Sequence, residues 1–106
     1  MRNIWPILEE RLCSYRDSCL DIKRFLLLYK SRCDELVWSI VECSSFDGAL
    51  IFFDELYEIQ NKLAIIKYKY EYPLQEDMEA FIYHFERDDV YSRKFWYEKF
   101  KKGERW

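Results

Sequence analysis

Two carboxylates, Asp54 and Glu58, sit one turn apart with Glu55 beside them, so on a helix the three crowd one side. Carboxylates grouped this way serve either a metal ion or a cationic partner. A helical di-metal site takes Glu-x-x-His pairs, and the sequence holds none. Cys13, Cys19, Cys33 and Cys43 contain no C-x-x-C pair, and the single histidine, His84, is remote from all four, which disfavours zinc. His84 stands between Tyr83 and Phe85 with no nucleophile placed beside it. No glycine-rich phosphate loop or nucleophile elbow occurs. Catalytic residues, metal ligands and a cofactor are therefore not expected, and the chain does not read as an enzyme. The chemistry left to the carboxylates is recognition of a basic protein.

Helices must carry them. Half of the 106 residues are hydrophobic, a fifth are aromatic, and only two glycines and two prolines are present, too few for the turns of an all-β fold. The length suits a single domain over residues 1–106. Pro6 suits a first helical turn with Asn3 as its cap, and that helix is expected to run to about Arg16 with a break at Asp17–Ser18. The stripe Ile22, Leu26, Tyr29, Cys33, Leu36, Ile40, Cys43 then alternates steps of three and four and predicts a long helix from about Ser18.

A turn is expected at Ser44–Gly48, with a serine capping a second helix through Phe52, Leu56, Ile59, Leu63 and Ile66. Lys67–Tyr72 alternates in a way that also fits a strand, but no second strand offers itself, and the helix is extended to about Tyr70. Pro73 is expected to stop that helix and open another along Leu74, Met78, Phe81 and Phe85. Arg87–Asp89 reads as a turn, with Asp88 or Asp89 capping a last helix that places Tyr91, Phe95, Trp96 and Phe100 on one side and ends at Gly103. The fold class is all-α, an antiparallel bundle of four to five helices.

Charge is strongly segregated along this scaffold. Residues 34–61 carry seven acidic groups and no basic one, and residues 71–89 carry seven acidic groups against Arg87 alone. Residues 90–106 hold six basic groups against two acidic, while the whole chain is only −3. The first acidic block coincides with the helical hairpin, whose two halves also supply Leu36, Val37, Trp38, Ile40 and Val41, and Leu50, Ile51, Phe52, Phe53 and Leu56. A field of this kind either steers a basic partner or is neutralised inside the fold, with the basic last helix lying against an acidic one. Glu42, Asp47, Asp54, Glu55 and Glu58 are the candidate contacts, with Tyr57 as a candidate aromatic anchor that fits the core equally well.

The N-terminal run MRNIWPILEERLC is broken by charge too early for a signal peptide, and FLLLY is too short to span a bilayer. With cysteines acting as small apolar residues, the expectation is a reduced, cytoplasmic protein that acts without a membrane. Small acidic aromatic-rich domains of this physical type bind and neutralise basic proteins, the task of an immunity protein against a nuclease toxin. Two alternatives share the same residues: a helical subunit that forms a homodimer or other oligomer, and a nucleic-acid module using RKFWYEKFKK. The acidic block just before that last helix weighs against nucleic acid.

Overall fold

The computed structural model describes residues 15–106, with side-chain surroundings described from Ile22 onward. These residues form four helices: α1 (Tyr15–Glu42), α2 (Phe46–Ala64), α3 (Glu76–His84) and α4 (Val90–Lys101), with no strand among the described residues. The architecture is all-α, as the apolar periodicity requires. The entry helix expected over Pro6–Arg16 lies outside the described residues apart from its end. That end is already part of α1, so Asp17–Ser18 makes no break: their helix propensities are modest but tolerable inside a long apolar-striped helix.

Two compact units divide the chain, Met1–Arg32 and Cys33–Trp106. In the first, the described part of α1 buries Ile22, Phe25 and Tyr29, at steps of three and four. In the second, α1 continues the stripe with Cys33, Leu36, Val37 and Ile40, and α2 buries Ala49, Phe53, Leu56, Ile59 and Leu63. Against these lie Met78, Phe81, Ile82 and Phe85 from α3 and Trp96 and Phe100 from α4. Phe85 is the hub of this aromatic core. Its ring centroid is 4.6 Å from Phe81, 5.0 Å from Trp96, 5.4 Å from Tyr57 and 5.6 Å from Trp106. Offset and edge-on contacts of this kind add to the area they bury.

The connections follow from local chemistry. Ser45, in extended conformation, caps α2 by accepting a hydrogen bond at 3.2 Å from the Gly48 amide. Gly48 thus lies inside the first turn of the helix rather than in the connection. A Cβ there would stand 3.3 Å from Ser45 Oγ, which accounts for glycine.

Residues Ile65–Lys69 continue α2 as a π-helical turn, closed by Tyr70 N–H donating to Ile65 O at 3.3 Å and Tyr72 N–H to Ile66 O at 3.1 Å. The doubtful stretch is therefore helical to Lys69, and the chain escapes through Glu71 in the left-handed region (φ 51°). Pro73 does not open α3. It lies in the irregular connection, and the helix starts three residues later with Gln75 at its cap and Glu76, Asp77 and Glu79 in its first turn. At α4, Asp89 caps as expected, accepting from the Ser92 amide at 2.7 Å. The helix ends at Gly103 (φ +81°) with Glu104 N–H bonded to Lys99 O and Gly103 N–H to Phe100 O, a Schellman arrangement.

One expected face of α4 is split. Trp96 and Phe100 are buried, whereas Tyr91 and Phe95 are 85% and 52% exposed. Each pair has i,i+4 spacing, but the two pairs are offset by one residue, a rotation of about 100° that turns the second stripe to solvent. No described helix is long and apolar enough to cross a membrane.

Candidate partner-binding surface

On α2 the positions Asp47, Ile51, Asp54, Glu55 and Glu58 fall within a stripe about 100° wide. The core residues Phe53 and Leu56 define the opposite side. On α1 the same construction gives Asp34, Glu35, Trp38 and Glu42, opposite Leu36 and Ile40. Each helix therefore turns these carboxylates away from its own buried apolar stripe.

The carboxylates are not equivalent. Asp54 Oδ1 is 2.8 Å from Arg93 Nη1, and the same guanidinium reaches Asp88 with Nε and Nη2, at 2.7 and 3.0 Å. Arg93 also donates to the Leu50 carbonyl at 3.2 Å and lies over the Tyr57 ring, 5.3 Å from its centroid. Its hydrogen bonds to Asp88 first, and then to Asp54, hold its pKa above the ordinary arginine value against the cost of burial. Asp34 is likewise joined to Arg105 at 2.8 Å. Glu42, Asp47 and Glu58 are exposed and form no ion pair among the described residues, while Glu55 is half-buried.

Lys101, far along the chain from Glu42, serves the backbone at the end of α1. Its Nζ donates to the carbonyls of Val41 and Cys43, at 2.7 and 2.6 Å, and Tyr97 Oη donates to Cys43 O at 3.3 Å. α1 has no basic residue in its last turn, so α4 supplies the missing positive charge.

Of the two places open to Tyr57, anchor beside Glu58 or core, it takes the core: it is 3% exposed, with its hydroxyl buried and without a hydrogen-bond partner among the described residues. It sits about 120° round α2 from Ile51, on the side that meets Phe85. Burial, reinforced by the negative charge of Asp88, pushes its phenol up to about 12.

The large apolar residues that do face solvent on this surface are Trp38, 67% exposed, and Ile51, 69% exposed. Both belong to apolar runs that suggest the interior. The signal that separates them is position: each lies two residues, about 200° of rotation, from core neighbours (Leu36 and Ile40, or Ala49 and Phe53).

Elsewhere, no group of His, Cys, Asp and Glu suited to a metal ion occurs among the described residues. Of the cysteines, Cys33 is buried and Cys43 half-buried, and Cys13 and Cys19 fall outside the described side chains. His84 is exposed, its ring edge-on to Tyr83 and Trp96 at 5.2 and 5.5 Å.

An acidic helical surface without metal ligands points to protein recognition, and comparison with known proteins makes that specific. The family model described as "Immunity protein CdiI-like" matches residues 3–102. Immunity protein CdiI of Escherichia coli (strain NC101) is 44% identical over 104 residues, covering 98% of this chain and 97% of that protein. With a match running through all four helices and both acidic faces, the chain belongs to the CdiI-like family of toxin immunity proteins.

Proposed function

We propose that the chain neutralises a nuclease-type toxin in the cytoplasm by covering a basic surface of that toxin with the acidic α1–α2 face, without catalysis of its own. The observation that carries this reading is the set Glu42, Asp47 and Glu58, exposed and without an internal counter-charge among the described residues, with Asp54 and Glu55 on the same helix face. A nuclease must hold phosphate with basic groups, and carboxylates compete for those groups. Unpaired surface charge also accelerates encounter with a basic partner.

The test uses the toxin domain that this chain neutralises, identified by capture with the tagged chain. The paired change Asp47→Asn, Glu58→Gln spares the Arg93 cluster and is expected to lower the association rate severalfold at low salt. It is also expected to flatten the salt dependence, with helicity unchanged. Unchanged kinetics at every salt concentration would show the face to be merely solvated. A second reading, self-association through α4, is favoured by the exposure of Tyr91 and Phe95. Sedimentation of the free chain decides it.

A further inference from the structure

We infer that Trp38 and Ile51 are the apolar anchors of the toxin complex, each set in a frame of carboxylates that fits a basic surface carrying arginine. The inference rests on the proposal that the acidic face meets the toxin, and it assigns where the binding free energy resides. Trp38 is flanked one turn away on either side by Asp34 and Glu42, with Glu35 beside it; Ile51 is flanked by Asp47, Asp54, Glu55 and Glu58. Along their own helices Trp38 and Ile51 lie about 6–8 Å from the short Cys43–Ser45 connection.

Exposure alone would not single them out, because Tyr83, Tyr91 and Phe95 are exposed as well. The surroundings differ. Phe95 and Trp96 already carry the Lys99 ammonium, 5.2 and 5.9 Å from their centroids, and Tyr83 packs on His84. Trp38 has no ring or cation partner among the described residues, and of the carboxylates flanking it Asp34 is joined to Arg105 while Glu42 is exposed without an ion pair. Indole is the strongest cation–π acceptor among side chains. An arginine stacked over Trp38 would at the same time find Glu42 one turn away as its carboxylate. Ile51 gives the second, purely apolar contact, ringed by carboxylates that exclude or order water around it. Buried tryptophan with a charged rim is the composition of an interface hot spot, and charge complementarity selects a basic toxin surface as the occupant.

The experiment measures association and dissociation rates of the full chain with the same toxin domain. Trp38→Ala is expected to raise the dissociation rate about 30-fold or more, and Ile51→Ser about tenfold, with association little changed. Trp38→Phe should restore part of the loss, and Tyr91→Ala should change nothing. Both changes are at exposed positions, so thermal unfolding should match the parent. If Asp47→Asn, Glu58→Gln slows association while Trp38→Ala and Ile51→Ser leave dissociation within about twofold, the anchors are overturned and the acidic-face reading stands. If none of these variants alters toxin binding, both fall. If Trp38→Ala abolishes self-association of the free chain without affecting the toxin complex, the face belongs to a second copy and the inference is wrong.

Discussion

Tyr57 and Trp38 exchange the roles their residue types suggest. Tyrosine next to Glu58 looks like a rim residue, yet its hydroxyl is buried without a partner. Tryptophan in the run LVWSIV looks like core, yet it faces water. Residue type alone does not say which side of a helix is occupied; rotation from a buried neighbour does.

The buried phenol has two measurable consequences. Its pKa is raised by burial from 10.0 to about 12, so its neutral form is favoured in the folded chain. The stability this contributes is fully present below about pH 10 and is lost as pH rises from there toward about 12. Ultraviolet titration should therefore show Tyr57 as a late-ionising tyrosine, titrating near 12 or together with unfolding. Tyr57→Phe removes a hydroxyl that has given up water without gaining a bond, and should raise stability by about 1 kcal/mol. Denaturant unfolding checks this, and a clear loss would mean that the hydroxyl has a partner after all.

Helix ends show where sequence reading works and where it stops. α4 closes at a glycine whose φ of +81° requires the left-handed region, and a Cβ there would meet nothing within 4 Å. Gly103→Ala should therefore cost about 1 kcal/mol through backbone strain alone, read from the thermal midpoint. The π-helical end of α2 uses the same conformation at Glu71 (φ 51°), where no glycine announces it. Glu71→Gly should stabilise by about 0.5–1 kcal/mol.

That difference explains why the end at Gly103 is legible and the Lys67–Tyr72 segment is ambiguous between strand and helix. The alternation of Lys and Tyr there is only a pattern, whereas Tyr70 and Tyr72 amides are bonded back to Ile65 and Ile66. Long apolar stripes such as Cys33–Leu36–Ile40 and Leu56–Ile59–Leu63 are read without difficulty, because burial enforces their period. Contacts between distant residues are not. Nothing near α1 foretells that Lys101 will cap its last carbonyls. Lys101→Met should lower stability by about 0.5–1 kcal/mol, an effect that high salt should shrink.

At the scale of the second unit, the segregated charges seen along the sequence are partly rejoined by the fold. Arg93 bridges Asp54 and Asp88, Arg105 meets Asp34, and Lys67 lies 3.4 Å from Glu79. The basic last helix thus answers part of each acidic block, and what remains on the α1–α2 face is the residue of that internal pairing. The candidate contacts divide accordingly: Glu42, Asp47 and Glu58 stay available, Asp54 is shared, and Tyr57 is withdrawn. This division was not legible beforehand, since it depends on Arg93 reaching α2 from a helix far along the chain.

It also makes stability and toxin capture separable, and Arg93 is where they part. Its guanidinium is only 13% exposed and is held by two carboxylates and a carbonyl. Arg93→Met keeps the packing over Tyr57 but leaves Asp54 and Asp88 facing each other without a counter-ion. The expected cost is about 1–2 kcal/mol of stability, since hydrogen bonds to charged groups are lost from a partly buried site. At the same time Asp54 is released to the outer face, which becomes one charge more negative. Association with a basic toxin domain should then be faster at low salt, although the folded chain is weaker. Denaturant unfolding and association kinetics on the same variant test the two halves together. A variant that loses stability and also binds more slowly would show that Arg93 itself, rather than the carboxylates it restrains, belongs to the contact.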